Sequence, residues 1–291
     1  MSLIEEHNIR DWVNDVPEGD QRQFREAIHI ILSGIANQPA LKSSMVIKGG
    51  ILLAIRYNSH RYTRDIDFST NQMLGDINKD EIANRLNKSM AIMGESLDYD
   101  LECKIQSCKV QPANKSDAQF PSIKIKIGYA YKHEQKYKRL LAGRCPTAID
   151  IDYSLNELMP NIDEFSIGGD GILTAYTLID LIAEKIRSVL QQLKRGRHRR
   201  QDVFDLFLLI EKFPDLDAVV KAKILDSLIV KAHSRGIYPQ AESFRDEEIR
   251  KRSKAEYPTL ADEIVGDLPD FDLIYPVVQS FYESLPWEQL E

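Results

Sequence analysis

The sequence predicts an α+β protein that has a mixed sheet in its first domain and helices in its second. Several short segments in the first half alternate apolar and polar residues, as half-buried strands do, and they lie between stretches with helical spacing. From about residue 174 onward this alternation stops and helical periodicity takes over. We therefore expect two domains, residues 1–173 and residues 174–291.

The alternating segments predict the strands of the first domain. They are "DIDFS" at 65–69, "DLECKIQSCKV" at 100–110, "PSIKIKIGY" at 121–129 and "AIDIDYS" at 148–154. In the first segment, alternation places Ile66 and Phe68 on one face of the strand. Asp65 and Asp67 then share the opposite face, where carboxylates remain accessible to a ligand.

Apolar residues at helical spacing predict helices over 20–37, 79–94, 174–195 and 200–213. The segment "IKGGILLAIRY" at 47–57 predicts a turn that leads into a short helix. Its glycines lie where this helix begins, so the first backbone N–H groups have no partner within the helix. Such a helix start favours an anion and is suited to a triphosphate.

Composition and charge restrict the class of protein. Three cysteines without Cys-x-x-Cys spacing indicate reduced thiols in the cytoplasm. The N-terminus lacks the pattern of a secretory signal, and the longest apolar stretch is too short for a membrane span, so we expect no membrane association. A net charge of −7 argues against a general nucleic-acid binder.

Basic charge is nevertheless concentrated in one stretch. Residues 185–200 contain seven Lys and Arg and no Asp or Glu. This run predicts either a local patch that docks one polyanion or a solvated helix end followed by a loop.

The aspartate pair is the main candidate for chemistry. Two carboxylates on one face of a strand, at positions i and i+2, lie about 6–7 Å apart. That spacing suits joint coordination of Mg²⁺ or Mn²⁺, since Mg²⁺ takes oxygen ligands from carboxylates, water and substrate phosphates. For the pair alone, the competing interpretation is a polar strand end.

The glycine turn, helix and Asp-x-Asp strand resemble the nucleotidyltransferase superfamily of the DNA polymerase β type. More narrowly, they resemble the AbiEii family of nucleotidyltransferase toxins, found in type IV toxin–antitoxin and abortive-infection systems. That family shows Lys-Gly-Gly, an apolar helix, then Arg-x-Ser/Thr-x-Asp-hydrophobic-Asp-hydrophobic. The matching residues here are Lys48, Gly49, Gly50, Arg61, Thr63, Asp65, Ile66, Asp67 and Phe68.

A second block, over 100 residues later, continues the resemblance. The family has an Ala-Glu-Lys helix, a basic stretch and then Arg-Asp-x-x-Asp-Leu. The residues that match are Ala183, Glu184, Lys185, Arg187, Asp202, Asp205 and Leu206. Two departures stand out: Ile51 replaces a small hydroxyl residue after the glycines, and Gln201 replaces the arginine before Asp202. The resemblance spans roughly residues 20–215.

The resemblance implies a polymerase-β-like nucleotidyltransferase domain followed by a helical C-terminal domain, and it implies roles for single residues. The implied catalytic residues are Asp65, Asp67, Lys185 and Asp202. The implied nucleotide-binding residues are Lys48, Gly49, Gly50, Arg61 and Lys185. The implied metal ligands are Asp65, Asp67 and a third carboxylate on a neighbouring strand, either Asp150 or Asp152, for which we take Asp152. Lys48 and Arg61 are alternatively surface charges.

The implied reaction is metal-dependent transfer of a nucleoside monophosphate from a nucleoside triphosphate, with release of pyrophosphate. The acceptor is an RNA, such as the 3′ end of a tRNA, or a protein. A cognate antitoxin protein is implied as a partner, and a cytoplasmic location is expected. Two alternatives remain open: a catalytically degenerate binding protein of the same fold, and a haloacid-dehalogenase-like phosphatase, whose Asp-x-Asp-x-Thr motif "DIDFST" echoes.

Overall fold

The computed structural model describes residues 4–113, 118–196 and 198–290. The strands are β1 Glu5–Glu6, β2 Val46–Lys48, β3 Asp65–Ser69, β4 Leu101–Gln111, β5 Ser122–Tyr131, β6 Ala148–Ser154, β7 Ile162–Ser166 and β8 Ile172–Tyr176. The helices are α1 Ile9–Asn14, α2 Asp20–Ala36, α3 Pro39–Ser44, α4 Gly49–Tyr57, α5 Lys79–Ser96, α6 Tyr137–Leu141, α7 Leu178–Leu190, α8 Gln192–Arg195, α9 Arg200–Lys212, α10 Ala218–Ser234, α11 Glu247–Lys254 and α12 Phe271–Glu283. None of the described helices is both long and apolar enough to cross a membrane.

Within the described ranges, eight strands form one sheet in the order β1-β7-β8-β2-β3-β6-β5-β4. The sheet is mixed. Strand β2 runs parallel to β8 and antiparallel to β3, β3 runs parallel to β6, and β6, β5 and β4 are successively antiparallel. The α+β class predicted from the sequence is therefore confirmed.

The chain forms two compact units. The first runs up to Arg56 and includes Thr63–Glu157 and Ile162–Ala175. The second comprises Tyr57–Tyr62, Leu158–Asn161 and the chain from Tyr176 onward. The division into domains at residues 1–173 and 174–291 stays a prediction.

In the first unit, helices α2 and α5 pack on one face of the sheet next to β4. Gly34 allows the two helices to approach closely, because a Cβ at this position would lie only 3.2 Å from the backbone nitrogen of Met90. The apolar side of each strand faces inward: Ile66, Ile125 and Ile151 are at most 1% exposed. Burial of this face leaves the aspartate-bearing face of β3 for the site.

In the second unit, α7 packs against α9 and α10, and α9 packs against α12. Leu181, Ile182, Ile186 and Val189 form the buried stripe of α7, as their helical spacing predicts. The buried face of α7 also contains Lys185 and Asp180, so this core is partly ionic.

The predicted strands at 65–69 and 148–154 are confirmed residue for residue, and those at 100–110 and 121–129 differ by one or two residues at their ends. The helix predicted over 174–195 is wrong at its start. Residues Thr174 to Tyr176 lie in β8, which pairs with β2, and the helix begins after Thr177, whose hydroxyl accepts a hydrogen bond from the Asp180 N–H. Strands β1 and β7 are not predicted from the sequence. A two-residue strand shows no alternation, and β7 contains the exposed Ile162 and three polar residues, so neither strand has the expected pattern.

Candidate active site

Four aspartates lie on one face of the central strands. Parallel pairing of β3 with β6 sets Asp65 beside Asp150 and Asp67 beside Asp152. Residues paired across adjacent strands point to the same face of a sheet, so the carboxylates form a two-by-two array. Asp65 and Asp150 are exposed, whereas Asp67 and Asp152 are half-buried. The array brings together the predicted metal ligands Asp65, Asp67 and Asp152.

One carboxylate oxygen of Asp152 lacks a partner among the described residues. Its Oδ2 accepts a hydrogen bond from Lys124 Nζ at 2.5 Å. Its Oδ1 is buried and accepts no hydrogen bond from the described residues. A buried carboxylate oxygen without a partner is costly, and a bound cation is one way to satisfy it. This observation favours Asp152 over the exposed Asp150 as the third carboxylate.

The glycine turn lies directly against Asp67. Gly49 has φ +72°, a backbone conformation that favours glycine, and a Cβ built on it would lie 2.2 Å from Asp67 Oδ2. Helix α4 begins at this residue, so its free N–H groups and positive dipole end lie close to the carboxylate face. Ile51 is 1% exposed and therefore belongs to the core, which leaves any phosphate contact at the turn to the backbone.

Lys48 is the last residue of β2 and pairs in register with Asp67. It is 8% exposed, so the alternative of a surface charge is wrong for this lysine. Its position on the same face as Asp67 brings a cation to the edge of the carboxylate array. Asp65, at the other end, accepts a hydrogen bond from Thr63 Oγ1 at 2.6 Å.

These residues suit a divalent cation in their chemistry: hard oxygen donors, one of them buried and unsatisfied, next to a helix start that favours anions. Among the residues that the structure describes, no three or more His, Cys, Asp or Glu side chains lie close enough together to hold a metal ion. The metal set Asp65, Asp67 and Asp152 accordingly stays a prediction.

The second unit holds a separate ionic cluster of Arg61, Lys185, Asp202 and Asp205. Asp205 is fully buried at its centre and accepts two hydrogen bonds from Arg61, at 2.8 and 2.9 Å, and one from Lys185 Nζ at 2.6 Å. Asp202 lies 3.3 Å from Lys185 Nζ. These contacts hold Arg61 and Lys185 against one shared carboxylate.

Electrostatics hold Asp205 and Lys185 in their charged forms. Burial acts to raise the pKa of Asp205, but Arg61 and Lys185 outweigh it and hold that pKa at about 2. Burial acts to lower the pKa of Lys185, yet Asp205 and Asp202 raise it above its ordinary value. Arg61 is only 9% exposed, so the surface alternative is wrong for this residue too.

The basic run at 185–200 is less available to a polyanion than its sequence predicts. Lys185 and Arg187 are buried, and Arg187 contacts Glu184 and Gln191. Arg200 forms an ion pair with Glu263 at 2.7 Å, and Lys194 Nζ donates to the carbonyl oxygen of Arg235. Residue 197 lies outside the described residues. The alternative of a solvated helix end and loop does not predict these contacts either, because Arg235 and Glu263 are distant from the run in the sequence.

Two residues of these sites have little or no signal of their own in the sequence. Asp205, which holds both cations, is not among the residues to which the resemblance gives a catalytic role. Lys124, which binds Asp152, lies in a strand whose alternation indicates only that it faces away from the core. The one available signal for it was the strict alternation of "KIK" at 124–126, which matches "DID" at 150–152 once the strands pair.

Comparison with known proteins adds two findings. The family model described as nucleotidyl transferase AbiEii toxin, type IV TA system, matches residues 30–283. The crystal structure of a proposed nucleotidyltransferase from H. pylori is similar with a TM-score of 0.52 over 94% of this chain and 99% of that chain. At 14% identity this second likeness shows the fold alone. None of the curated proteins matches the chain.

Proposed function

The chain belongs to the AbiEii family of nucleotidyltransferase toxins of type IV toxin–antitoxin systems, and from that premise we propose a metal-dependent reaction at the aspartate array. In this reaction a nucleoside monophosphate passes from a nucleoside triphosphate to an acceptor hydroxyl. The acceptor oxygen forms a bond to the α-phosphorus while the bond from that phosphorus to the bridging oxygen breaks. Pyrophosphate leaves, and the hydroxyl proton is released.

One observation carries this proposal: Asp67 lies between the glycine turn at the start of α4 and Asp152, whose Oδ1 has no partner in the part of the chain that the structure describes. A helix start favours phosphate and carboxylates favour a hard cation, so together they suit a nucleoside triphosphate with its metal ion. In this chain they share one face of a single sheet.

Asp65, Asp67 and Asp152 would hold Mg²⁺ or Mn²⁺. When bound, a divalent cation neutralises charge that develops on the phosphate oxygens. The chain itself contributes the binding and orientation of the triphosphate. The backbone of Gly49 and Gly50 is assigned to the phosphates, and Lys48 supplies positive charge beside Asp67.

We assign Lys185 and Asp202 as catalytic residues. We assign Arg61 and Lys185 as nucleotide-binding residues. Asp205 contacts both cations and so acts as their positioning residue. A buried carboxylate that accepts hydrogen bonds from two cations holds each of them in one orientation.

The proposed partners are a nucleoside triphosphate, an RNA or protein acceptor, and a cognate antitoxin, with the protein acting in the cytoplasm. The phosphatase alternative is not carried forward, since the family and the fold are those of nucleotidyltransferases. Asp65 is moreover the first residue of β3, whereas the phosphatase motif follows a continuous apolar strand. A degenerate binding protein is the remaining alternative.

The test is transfer of label from each α-labelled nucleoside triphosphate into total cellular RNA and protein, with Mg²⁺ present. We expect label in a discrete band with the unaltered chain and none with Asp65→Asn/Asp67→Asn. Asp226→Asn, a change of the same kind at an exposed position, is the control and should leave transfer unchanged. Transfer that survives the double substitution overturns the assigned site. Absence of transfer with every triphosphate favours the binding protein.

A further inference from the structure

The segment between residues 101 and 145 is strongly basic within an acidic protein. It contains ten Lys and Arg and three Asp and Glu, whereas the chain as a whole has a net charge of −7. This segment comprises β4, β5 and α6 of the first unit, and its residues 114–117 lie outside the described residues. Positive charge is thus collected at one end of the sheet.

The lysines of β4 and β5 continue the face that carries the aspartates. Lys124 pairs in register with Asp152, and Lys126 pairs with Asp150. On the other side of β5, Lys109 of β4 pairs with Lys124. Because paired residues share a face, the carboxylates of β3 and β6 and the lysines of β5 and β4 lie side by side across the same face of the sheet.

Helix α6 extends this basic surface. Ala130 alternates onto the same face of β5 as Lys126, and it packs against Leu140 and Cys145. A Cβ on Gly128, between them, would lie 2.9 Å from the Cβ of Cys145. The α6 segment therefore covers the far end of this face, and its Lys138 and Arg139 are exposed. We call Lys109, Lys124, Lys126, Lys138 and Arg139 the lysine face.

Most of these charges are available for a ligand. Lys109, Lys126, Lys138 and Arg139 are exposed and form no ion pair with a described residue. Lys124 remains 48% exposed although its Nζ contacts Asp152. Lys109 and Lys124 are cross-strand partners, and like charges directly opposite each other are unfavourable, so a bound polyanion would stabilise this pair.

The composition of the surface favours a polynucleotide over a protein. Protein interfaces are depleted in lysine and enriched in aromatic residues at their centre. Between residues 101 and 145, Leu141 is the one large apolar side chain that is strongly exposed among those described. Phosphate binding, by contrast, depends on lysine and arginine charge.

We propose that the lysine face binds the phosphate backbone of a single-stranded RNA whose terminal hydroxyl reaches the aspartate array. The inference rests on the proposed function for the chemistry at that end. It adds the surface of the chain that receives the acceptor. The binding surface is β4, β5 and α6 and not the basic run at 185–200.

The experiment measures binding of a fluorescent single-stranded RNA to the full chain by anisotropy, at several salt concentrations and with no triphosphate. The test variant is Lys109→Gln/Lys126→Gln. The control, Lys88→Gln/Lys251→Gln, removes the same charge from two exposed positions outside the lysine face. Near 0.1 M salt we expect about a 5-fold loss of affinity per lost phosphate contact, and a salt slope smaller by about 0.7 per contact. Circular dichroism checks that both variants are folded.

The proposal is overturned if the test variant binds RNA as tightly as the control does, or if the unaltered chain binds no RNA. Label transfer is measured separately, so that the two proposals fail independently. Lysine-dependent RNA binding without transfer of label contradicts the proposed function alone. Transfer into a protein, unaffected by the lysine substitutions, contradicts this inference alone.

Discussion

At the scale of single residues, Gly49 and Asp205 are the positions where geometry leaves least freedom. Gly49 combines a left-handed backbone with direct contact to Asp67. Asp205 is fully buried between an arginine and a lysine. The positive φ of Gly49 disfavours any other residue, and removal of the Asp205 charge leaves two buried cations without their shared partner.

For Gly49→Ala we expect a loss of stability of at least about 1–2 kcal/mol, since an L residue in the left-handed region costs that much before any clash. The added Cβ also displaces Asp67 Oδ2, so nucleotide transfer should fall as well. Urea unfolding and label transfer measure the two effects. Gly75→Ala, where a Cβ meets nothing within 4 Å, is the control and should change neither. Full activity in Gly49→Ala would contradict the proposed phosphate turn.

For Asp205→Asn we expect destabilisation of about 3–5 kcal/mol, because two buried cations lose their shared carboxylate. The pKa of Asp205 is held at about 2, below its ordinary 3.8. A lowered carboxyl pKa contributes stability that is complete above pH 3.8 and is lost as the pH falls toward 2. Urea unfolding between pH 5 and 2 should therefore show a shallower acid loss in the variant than in the unaltered chain. An equally steep loss would mean that other carboxylates dominate.

At the scale of elements, pairing between strands creates the site. The register of β3 with β6 aligns two Asp-x-Asp segments, and the register of β6 with β5 sets lysines beside two of those aspartates. A slip of one residue would turn one set of carboxylates toward the apolar face. Burial of Ile66 and Ile151 on that face opposes such a slip.

The two carboxylates of β6 should differ in importance. Asp152→Asn is expected to lower the transfer rate by about 10²-fold or more, the scale of losing a group that acts on the reacting atoms. Asp150→Asn, at the exposed position two residues earlier, should lower it by less than about tenfold, because that carboxylate is solvated. Initial rates at saturating triphosphate give the comparison. The reverse order would assign the third carboxylate to Asp150.

The contacts of His29 with Tyr99 and Asp170 predict that stability depends on pH. His29 of α2 is fully buried and hydrogen-bonded to Tyr99 and Asp170. Burial, only partly opposed by Asp170, lowers its pKa to about 4. The neutral ring therefore contributes stability that is complete above pH 6.5 and is lost toward pH 4, at up to about 1.4 kcal/mol per pH unit. Unfolding free energies of His29→Gln should be flatter across this range, while His133→Gln, at an exposed position, should keep the slope.

At the scale of the whole molecule, acidic and basic charge are separated along the chain. An overall charge of −7 disfavours indiscriminate binding of nucleic acid, whereas the lysine face provides a local attraction.

Removal of divalent ions tests the reaction as a whole. With EDTA present, label transfer by the unaltered chain should fall below detection, and an excess of Mg²⁺ or Mn²⁺ should restore it, because the proposed site depends on a cation to neutralise phosphate charge. Thermal melting followed by circular dichroism shows whether the chain stays folded in EDTA. Undiminished transfer in a folded, EDTA-treated sample would contradict metal dependence.

The sequence by itself determined the fold class, the strands at 65–69 and 148–154, and the resemblance that the family comparison confirms. These features depend on local periodicity and on short motifs, which a chain displays without being folded. The start of α7 and strands β1 and β7 could not be predicted, because pairing with distant strands outweighs the weak local preferences of their residues.

Only the tertiary structure decided which charges are neutralised and which are left open. It paired Asp205 with Arg61 from 144 residues away and set Lys124 beside Asp152, while it left Lys109 and Lys126 exposed. The sequence gives the number of charged residues but not their partners. Whether a lysine binds an aspartate or a ligand depends on register and burial, which arise when distant segments pack together.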